Sequence, residues 1–533
     1  MDIRTAELLF LLLLLFIIAF GQLARKIGTP YPIVMIIGGL LLGFIPGIPR
    51  IALNPDLIFL VVLPPLLYSS AWATSWRDFR SNLVSIFLLA FGLVGFTVVG
   101  VALFTPKFFA GFDWRLGLVL GAIVAPTDAI AATSIAKKVG LPGRIVDILE
   151  GESLINDATG LLALEFAIAL VVSGSVPTVS GSLLTLAWLV VGGAGIGLLV
   201  GWIIAFGERH IDDGPIEIAL SILVPYAAYF AADAVHSSGV LAVVACGLFL
   251  TRKSARLFSP PVRIQIYSFW QSFTFVLNGL VFLLIGLQLP ILLSSIRGYS
   301  ISKILLDGAL FSLVLIVLRM AWVFPGAWIS NWLRNRFSQQ KEKAPSPRQV
   351  FIVGWTGMRG VVSLAAALSL PTLLADGRAF PERDLIVFLT FCVILVTLVL
   401  QGVTLTPLVR MLGMEGSGGP NCEEQEARRQ VITAALTHLE TARLEDGGKS
   451  DEIYEDIIGH YRHRLAGLQP GEENPEHADH HQFFIEISRE AESIERETAV
   501  RLRNEGRIND QVLRRIEREL DLNESRFSNA EED

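Results

Sequence analysis

Charged residues are scarce in this sequence. Asp, Glu, Lys and Arg make up 17% of its 533 residues, whereas hydrophobic residues make up 52%. Soluble domains carry about a quarter of charged residues, so this composition excludes an ordinary soluble or disordered chain. The profile is that of a protein embedded in a membrane.

Cysteine is also rare. The three cysteines, Cys246, Cys392 and Cys422, are far apart, which excludes a disulfide framework and a cysteine-based metal site. The sequence contains no phosphate-binding loop, nucleophile elbow or cluster of metal ligands, so we expect no enzyme, no cofactor and no nucleic-acid partner. The glycine-rich stretch 192–197 lies inside an apolar run, where glycine usually permits close helix packing.

The few charges are unevenly distributed. Residues 1–420 hold 28 Lys+Arg against 22 Asp+Glu, whereas residues 421–533 hold 15 against 28. Glycine, serine and proline mark a linker between these parts. We therefore predict a membrane domain over 1–415, a linker over 416–421, and an acidic helical cytoplasmic tail, a candidate regulatory domain, over 422–533.

Long apolar runs fill the first 415 residues. A helix needs about 20 apolar residues to cross a hydrocarbon core about 30 Å thick, which predicts an all-α polytopic membrane protein with about thirteen transmembrane helices. Their approximate limits are 7–25, 30–48, 53–76, 81–105, 113–138, 144–173, 180–208, 214–236, 238–252, 260–289, 300–334, 346–373 and 383–412. The first run leads into Arg25 and Lys26 rather than a cleavage site, so we interpret it as a retained helix.

Lysine and arginine are concentrated in alternate connections, such as Arg25-Lys26 and Lys137-Lys138. Connections rich in these residues stay in the cytoplasm. The pattern predicts a cell-membrane protein with its N-terminus outside and its tail in the cytoplasm. In the tail, Val431, Ala435 and Leu439 recur at helical spacing, which predicts an amphipathic helix that packs on its neighbours or, alternatively, binds a partner.

Two predicted spans contain helix breakers. In the fifth span, Pro126 removes a helical donor and should free backbone carbonyls beside Thr127 and Asp128; a simple proline kink is the alternative. In the twelfth span, three glycines and Arg359 fall within residues 354–360. Two interrupted spans far apart in sequence are typical of an inverted-repeat transporter, whose site lies where the broken helices cross.

Between these breaks, the sixth span carries buried acid groups. Ser153 and Asp157 are four residues apart and share a helix face, whereas Glu152 points about 140° away. We therefore expect Asp157 to face a site and Glu152 to pair with a buried arginine, for which Arg359 is the first candidate. Arg319, inside the eleventh span, is expected to be paired structurally rather than to bind the substrate. Because a carboxylate at membrane depth must be neutralised, a proton and a cation would compete for Asp157.

Three stretches then fit one pattern. Residues 125–129 (APTDA), 151–157 (GESLIND) and 357–364 (GMRGVVSL) resemble the signature stretches of the sodium/proton exchanger family, in the branch with an Asn-Asp pair. Residues 63–65 (LPP) and 238–242 (SGVLA) extend this resemblance over the membrane domain.

The resemblance implies a site for monovalent cations and protons. Asp157 would bind cation and proton in turn, with Ser153 and Thr127 as further cation ligands and Asp128 helping through water. Asn156 is counted in the same binding site. Asn156, in place of the aspartate of electrogenic relatives, implies one-for-one electroneutral exchange of sodium for protons.

The resemblance also implies an architecture: two crossing broken helices, inverted repeats, a structural Glu152–Arg359 pair, and a homodimer whose core moves against a dimerisation domain. Some relatives carry an acidic ligand in the third span, where this sequence has Tyr68, Ser69 and Ser70. That difference leaves sodium, potassium and lithium open. The alternatives from other classes are a cation channel and a membrane sensor that signals through its tail.

Overall fold

The computed structural model describes residues 3–46, 54–109, 111–173, 179–295, 300–337, 344–374, 378–414, 421–445, 450–466, 475–507, 509, 511–517 and 520–521. The chain divides into two compact units, Met1–Gly418 and Gly419–Asp533. The predicted linker over 416–421 falls, apart from its last residue, outside the described residues.

Almost all regular structure in the first unit is helical, with one isolated bridge between Leu373 and Ala379 in the described ranges. The helices, including three π-helical segments, are Ile3–Ile27, Tyr31–Gly43, Pro55–Leu57, Ile58–Val62 (π), Leu63–Ala73, Trp76–Ser81, Leu83–Phe87, Leu88–Leu93 (π), Val94–Phe108, Trp114–Val124, Ala129–Val139, Gly143–Ser173, Val179–Glu208, Gly214–Asp233, Gly239–Leu257, Pro260–Leu287, Leu289–Ser295, Ile301–Phe337, Pro347–Trp355, Val361–Leu368, Arg383–Val396, Thr397–Gln401 (π) and Gly402–Met411.

Within the described residues, nine helices are long and apolar enough to cross a membrane, and one bent pair would make ten. The predicted all-α polytopic class is confirmed. The count of thirteen stays a prediction, because Tyr31–Gly43 is short and the helices Pro347–Trp355 and Val361–Leu368 are separated by a break.

The first broken helix consists of Trp114–Val124 and Ala129–Val139, which are bent by 41°. Pro126 lies in the break, where its missing N–H ends the helical ladder. Asp128 restarts the helix as its N-cap, and its side chain accepts a hydrogen bond of 2.8 Å from the Ile130 N–H. The helix break that was predicted from Pro126 is therefore confirmed.

The second broken helix consists of Pro347–Trp355 and Val361–Leu368. Its break meets the first one directly: the Asp128 N–H donates to the Met358 carbonyl over 2.8 Å. Gly360 makes this approach possible, since a Cβ there would lie 2.2 Å from an Asp128 carboxylate oxygen. The predicted crossing of two broken helices is confirmed.

A buried ion pair joins the helix Gly143–Ser173 to the helix Ile301–Phe337. The Arg319 guanidinium donates to both Glu152 carboxylate oxygens, over 2.6 and 3.0 Å, and each side chain is at most 2% exposed. Arg319 also donates to the carbonyls of Val353 and Gly354. It thus satisfies carbonyls that the end of Pro347–Trp355 leaves free.

The predicted Glu152–Arg359 pair is wrong, because Glu152 is held by Arg319. Arg359 instead binds the backbone of both breaks: its guanidinium donates to the Val124 carbonyl over 3.1 Å and to the Gly357 carbonyl. Each buried arginine therefore caps the last turn of a half-helix, a position where positive charge is favoured.

Small residues let other helices approach closely. A Cβ at Gly197 would lie 2.1 Å from the Ala242 carbonyl oxygen, so the predicted packing role of the stretch 192–197 is confirmed at Gly197, whereas a Cβ at Gly195 would have no neighbour within 4 Å. This contact brings Val179–Glu208 against Gly239–Leu257.

The second unit contains the helices Asn421–Glu445, Asp451–Ala466 and Pro475–Asn504. Ile432 and Leu436 pack against Ile458 in a small core, partly covered by Leu439. Val431, which the sequence placed on the packed face, is 69% exposed, so that face is rotated by one residue from the predicted stripe. The packing interpretation of this helix is otherwise confirmed.

We predict that breaking the buried pair costs far more than breaking an exposed one. Glu152→Gln leaves Arg319 uncompensated in the interior, which should destabilise the protein by about 3–5 kcal/mol. Glu150→Gln is the matched control two residues away, because its pair with Lys137 is 62% exposed on the lysine side and should contribute about 0–1 kcal/mol. Thermal unfolding of the purified variants in detergent measures both, and equal shifts would contradict the structural role of the pair.

Candidate functional site

Asp157 lies next to the crossing of the broken helices. Its side chain lines a cavity of about 280 Å³ together with Thr127, Asp128 and Ser153. The residue is 9% exposed, and no hydrogen bond or ion pair reaches its carboxylate from any side chain or backbone group that the structure describes. Asp157 is thus a buried acid group without a partner in the described part of the protein.

The wall around Asp157 comes from the first break and the preceding turn of its own helix. The Ser153 hydroxyl accepts from the Ala129 N–H over 3.3 Å and so caps the restarted half-helix. Asp128 lines the same cavity and lies close enough to Asp157 for their charges to repel. Two carboxylates in one cavity favour the uptake of positive charge.

Thr127 is held firmly between two buried side chains. Its hydroxyl donates to Glu152 over 3.0 Å and accepts from the Asn156 amide over 2.8 Å. Because the hydroxyl proton and one lone pair are occupied, the other lone pair and the backbone carbonyl of Thr127 remain for a cation. Asn156 lies behind the cavity wall and does not line it.

Other helices also contribute to the wall of the cavity. It includes the hydroxyl and amide groups of Ser69, Ser70, Thr274 and Asn278. Carboxylate, hydroxyl and carbonyl oxygens are the ligands that hard cations such as sodium prefer. The cavity therefore offers several oxygen ligands that suit a small cation, within a lining that is otherwise mostly apolar.

The cavity extends from this site to Glu150, which also lines it. The Glu150 carboxylate pairs over 2.9 Å with Lys137, whose side chain is 62% exposed. The cavity thus approaches the surface at the end of the helices where Lys137 and Glu150 lie.

The structure brings together most of the predicted site residues. Asp157, Ser153, Thr127 and Asp128 line one cavity, whereas Asn156 supports Thr127 from behind. Sequence reasoning missed Asn278, although an amide alone within the apolar run 273–287 is a signal at membrane depth. It also missed Thr274, for which the sequence offers no comparable signal.

Known proteins of one family are similar to this chain. The family described as "Sodium/hydrogen exchanger, transmembrane" matches residues 10–411. The sodium, potassium, lithium and rubidium/H+ antiporter of Bacillus pumilus (strain SAFR-032) is 33% identical over 479 residues, 86% of this chain and 69% of that protein. The Na+/H+ antiporter ApNhaP of Aphanothece halophytica is 32% identical over 413 residues, 77% of this chain and 75% of that protein.

A solved structure shares the fold. The sodium proton antiporter MjNhaP1 from Methanocaldococcus jannaschii superposes with a TM-score of 0.60 at 20% identity, covering 78% of this chain and all of that one. The family match over 402 residues and the similar relatives lead to one conclusion. This chain belongs to the sodium/hydrogen exchanger family.

Proposed function

We propose that this protein exchanges a monovalent cation for a proton across the cell membrane, with Asp157 binding the two in competition. The observation that carries this proposal is the buried carboxylate of Asp157, which lines the cavity and has no partner among the described residues. A charge in that position requires a positive ligand, and the cavity admits either a proton or a small cation.

The neighbouring residues have distinct parts in this proposal. A cation at Asp157 takes the Ser153 hydroxyl and the Thr127 carbonyl as further ligands, and Asp128 acts through water. Asn156 and Glu152 hold the Thr127 side chain in place. The Arg319 guanidinium compensates the charge of the second carboxylate, Glu152, within the protein, so Asp157 is the carboxylate that is left for the exchange.

The orientation follows from the lysine and arginine pattern. With the N-terminus outside, Lys137 and Glu150 lie on the cytoplasmic side, and the cavity approaches that side. Alternating access then moves the crossed helices, as a core, against a dimerisation domain that carries Ser69, Ser70 and Asn278. We propose a homodimer that contributes to sodium transport and pH homeostasis.

The lining of the cavity bears on which monovalent cations are exchanged. Relatives are named both as Na+/H+ antiporters and as sodium, potassium, lithium and rubidium/H+ antiporters. Ser69 and Ser70 line the cavity with neutral hydroxyls. Neutral ligands hold a cation less strongly than an added carboxylate, which favours a site that accepts more than one monovalent ion, sodium included.

Removing the Asp157 charge should abolish coupled exchange. In proteoliposomes with an internal pH probe, Asp157→Asn is expected to reduce sodium-, lithium- and potassium-driven proton flux to the level of empty liposomes. Asp233→Asn, at an exposed carboxyl group on another spanning helix, is the matched control and should behave as the wild type. Coupled flux that persists in Asp157→Asn would refute this site.

With the membrane potential nulled and the two sides at equal pH, a cation gradient should drive an opposite proton flux through the wild-type protein. A channel with the same acidic site would pass cations down their own gradient without an opposite proton flux. Measuring both fluxes in the same proteoliposomes therefore separates the antiporter from the channel.

One-for-one exchange predicts no net charge movement. On a solid-supported membrane, a jump in cation concentration should give no transient current. The same jump applied to proteoliposomes with an internal pH probe should give proton flux. The reason is that Asp157 carries one positive charge in each direction. A current that scales with the flux would contradict electroneutral exchange and would require a second titrating group, for which Asp128 is the nearest candidate.

A further inference from the structure

A second pair of buried carboxyl groups lies outside the cavity. Glu208 ends the helix Val179–Glu208, and Glu217 lies in the first turn of the next helix, Gly214–Asp233. Glu208 is 3% exposed and Glu217 is 1% exposed. Neither residue lines the cavity that contains Asp157.

These two groups lack the partners that buried acids normally have. One carboxylate oxygen of Glu208 and both oxygens of Glu217 are buried without a hydrogen-bond partner among the described residues. This differs from Glu152, whose two oxygens are both bonded to Arg319. Buried polar groups are almost always satisfied, so an unpartnered pair requires a specific cause.

The surroundings of the pair, as far as the structure describes them, provide no compensating positive charge. Glu217 acts electrostatically on Glu208, and exposed Asp212 acts on Glu217. Tyr68 and Cys246, on two neighbouring helices, are the other titratable groups in electrostatic range of Glu208.

The described basic side chains of the helices around the pair are directed elsewhere. Arg209, Arg252 and Arg263 are exposed, and the Lys253 ammonium lies over the Phe249 ring at 4.6 Å from its centre. An ionised carboxylate in such a place would carry a large desolvation cost, and two would also repel each other.

We propose that Glu208 and Glu217 form a proton-binding site, separate from the transport cavity, in which the two carboxyl groups hold at least one proton between them at neutral pH. A protonated carboxyl group is neutral, so it avoids the desolvation cost of a buried charge and the repulsion between the two groups without a basic residue.

The site is connected to the cavity through one short helix. Leu63–Ala73 carries Ser69 and Ser70 on the cavity wall, and the preceding residue, Tyr68, lies in electrostatic range of both glutamates. The Tyr68 ring also packs against Trp270, whose indole N–H donates to Ser221 one turn after Glu217. Loss of the proton would thus place negative charge behind the wall of the cavity, which gives pH a route to the cavity that does not pass through Asp157.

The first test is spectroscopic and uses the full-length purified protein. Infrared difference spectra between neutral and strongly alkaline pH should contain the C=O band of a protonated carboxylic acid that disappears on titration. The band should be reduced in Glu208→Gln and in Glu217→Gln, and retained in the Asp233→Asn control. A wild-type spectrum without such a band, or a band that neither glutamine variant affects, would overturn the proposal.

The second test measures stability against pH. In the unfolded chain a carboxyl group loses its proton in the ordinary range, about pH 4 to 5. If the folded protein keeps that proton to a higher pH, its stability falls as the pH rises above this range. The fall in the unfolding midpoint of the wild type with rising pH should therefore be smaller in both glutamine variants, whereas Asp233→Asn should follow the wild type. Glutamine resembles the neutral acid, so failure of both variants to fold would also contradict the proposal.

A metal ion is the competing ligand, since two carboxylates also suit a hard cation. If sodium or calcium at fixed pH raises the wild-type midpoint and both glutamine variants lose that response, the pair is a metal site and the proton assignment is wrong. None of these measurements requires transport. Their failure is therefore distinguishable from a failure of the proposed exchange at Asp157.

Discussion

A carboxylate that is removed from water needs a positive partner. The membrane domain contains one buried carboxylate that has such a partner and one that has none among the described residues. Glu152 and Asp157 lie five residues apart on one helix, yet their surroundings differ completely. Glu152 is neutralised by Arg319 through two hydrogen bonds. Asp157 faces a cavity and has no partner among the described residues, as the proposed exchange requires.

The two helix breaks make this difference possible. Interrupted helices leave unsatisfied backbone groups, which are costly at membrane depth unless the protein satisfies them. Arg319 and Arg359 do so by donating to carbonyls at the ends of Pro347–Trp355 and Trp114–Val124. The guanidinium groups of Arg319 and Arg359 therefore bind backbone carbonyls and Glu152, and none of these contacts reaches Asp157.

Much of this arrangement could be predicted from the sequence. Pro126 and the glycines around Arg359 identified both breaks, because these residues cannot continue a regular helix. Helical spacing placed Ser153 and Asp157 on one face, and both line the cavity. Hydropathy identified the all-helical membrane class, because apolar runs of this length match the thickness of the hydrocarbon core when they are helical.

The errors concern contacts between distant helices. The partner of Glu152 is Arg319 rather than Arg359, and the two arginines are alike in sequence terms, since each lies within an apolar span. Only the packing of Ile301–Phe337 against the second broken helix decides between them. The tail stripe was misplaced by one residue for a related reason: neighbouring apolar positions, Val431 and Ile432, fit a helical period about equally well.

The most direct test of a single shared site is proton release on cation binding, measured without transport. Sodium, lithium or potassium added to weakly buffered, detergent-purified protein should release about one proton per bound ion, because both ligands neutralise the same carboxylate. Replacing Asp157 by asparagine should remove both the release and the binding. Cation binding without proton release, or release that persists in the variant, would contradict a single shared site at Asp157.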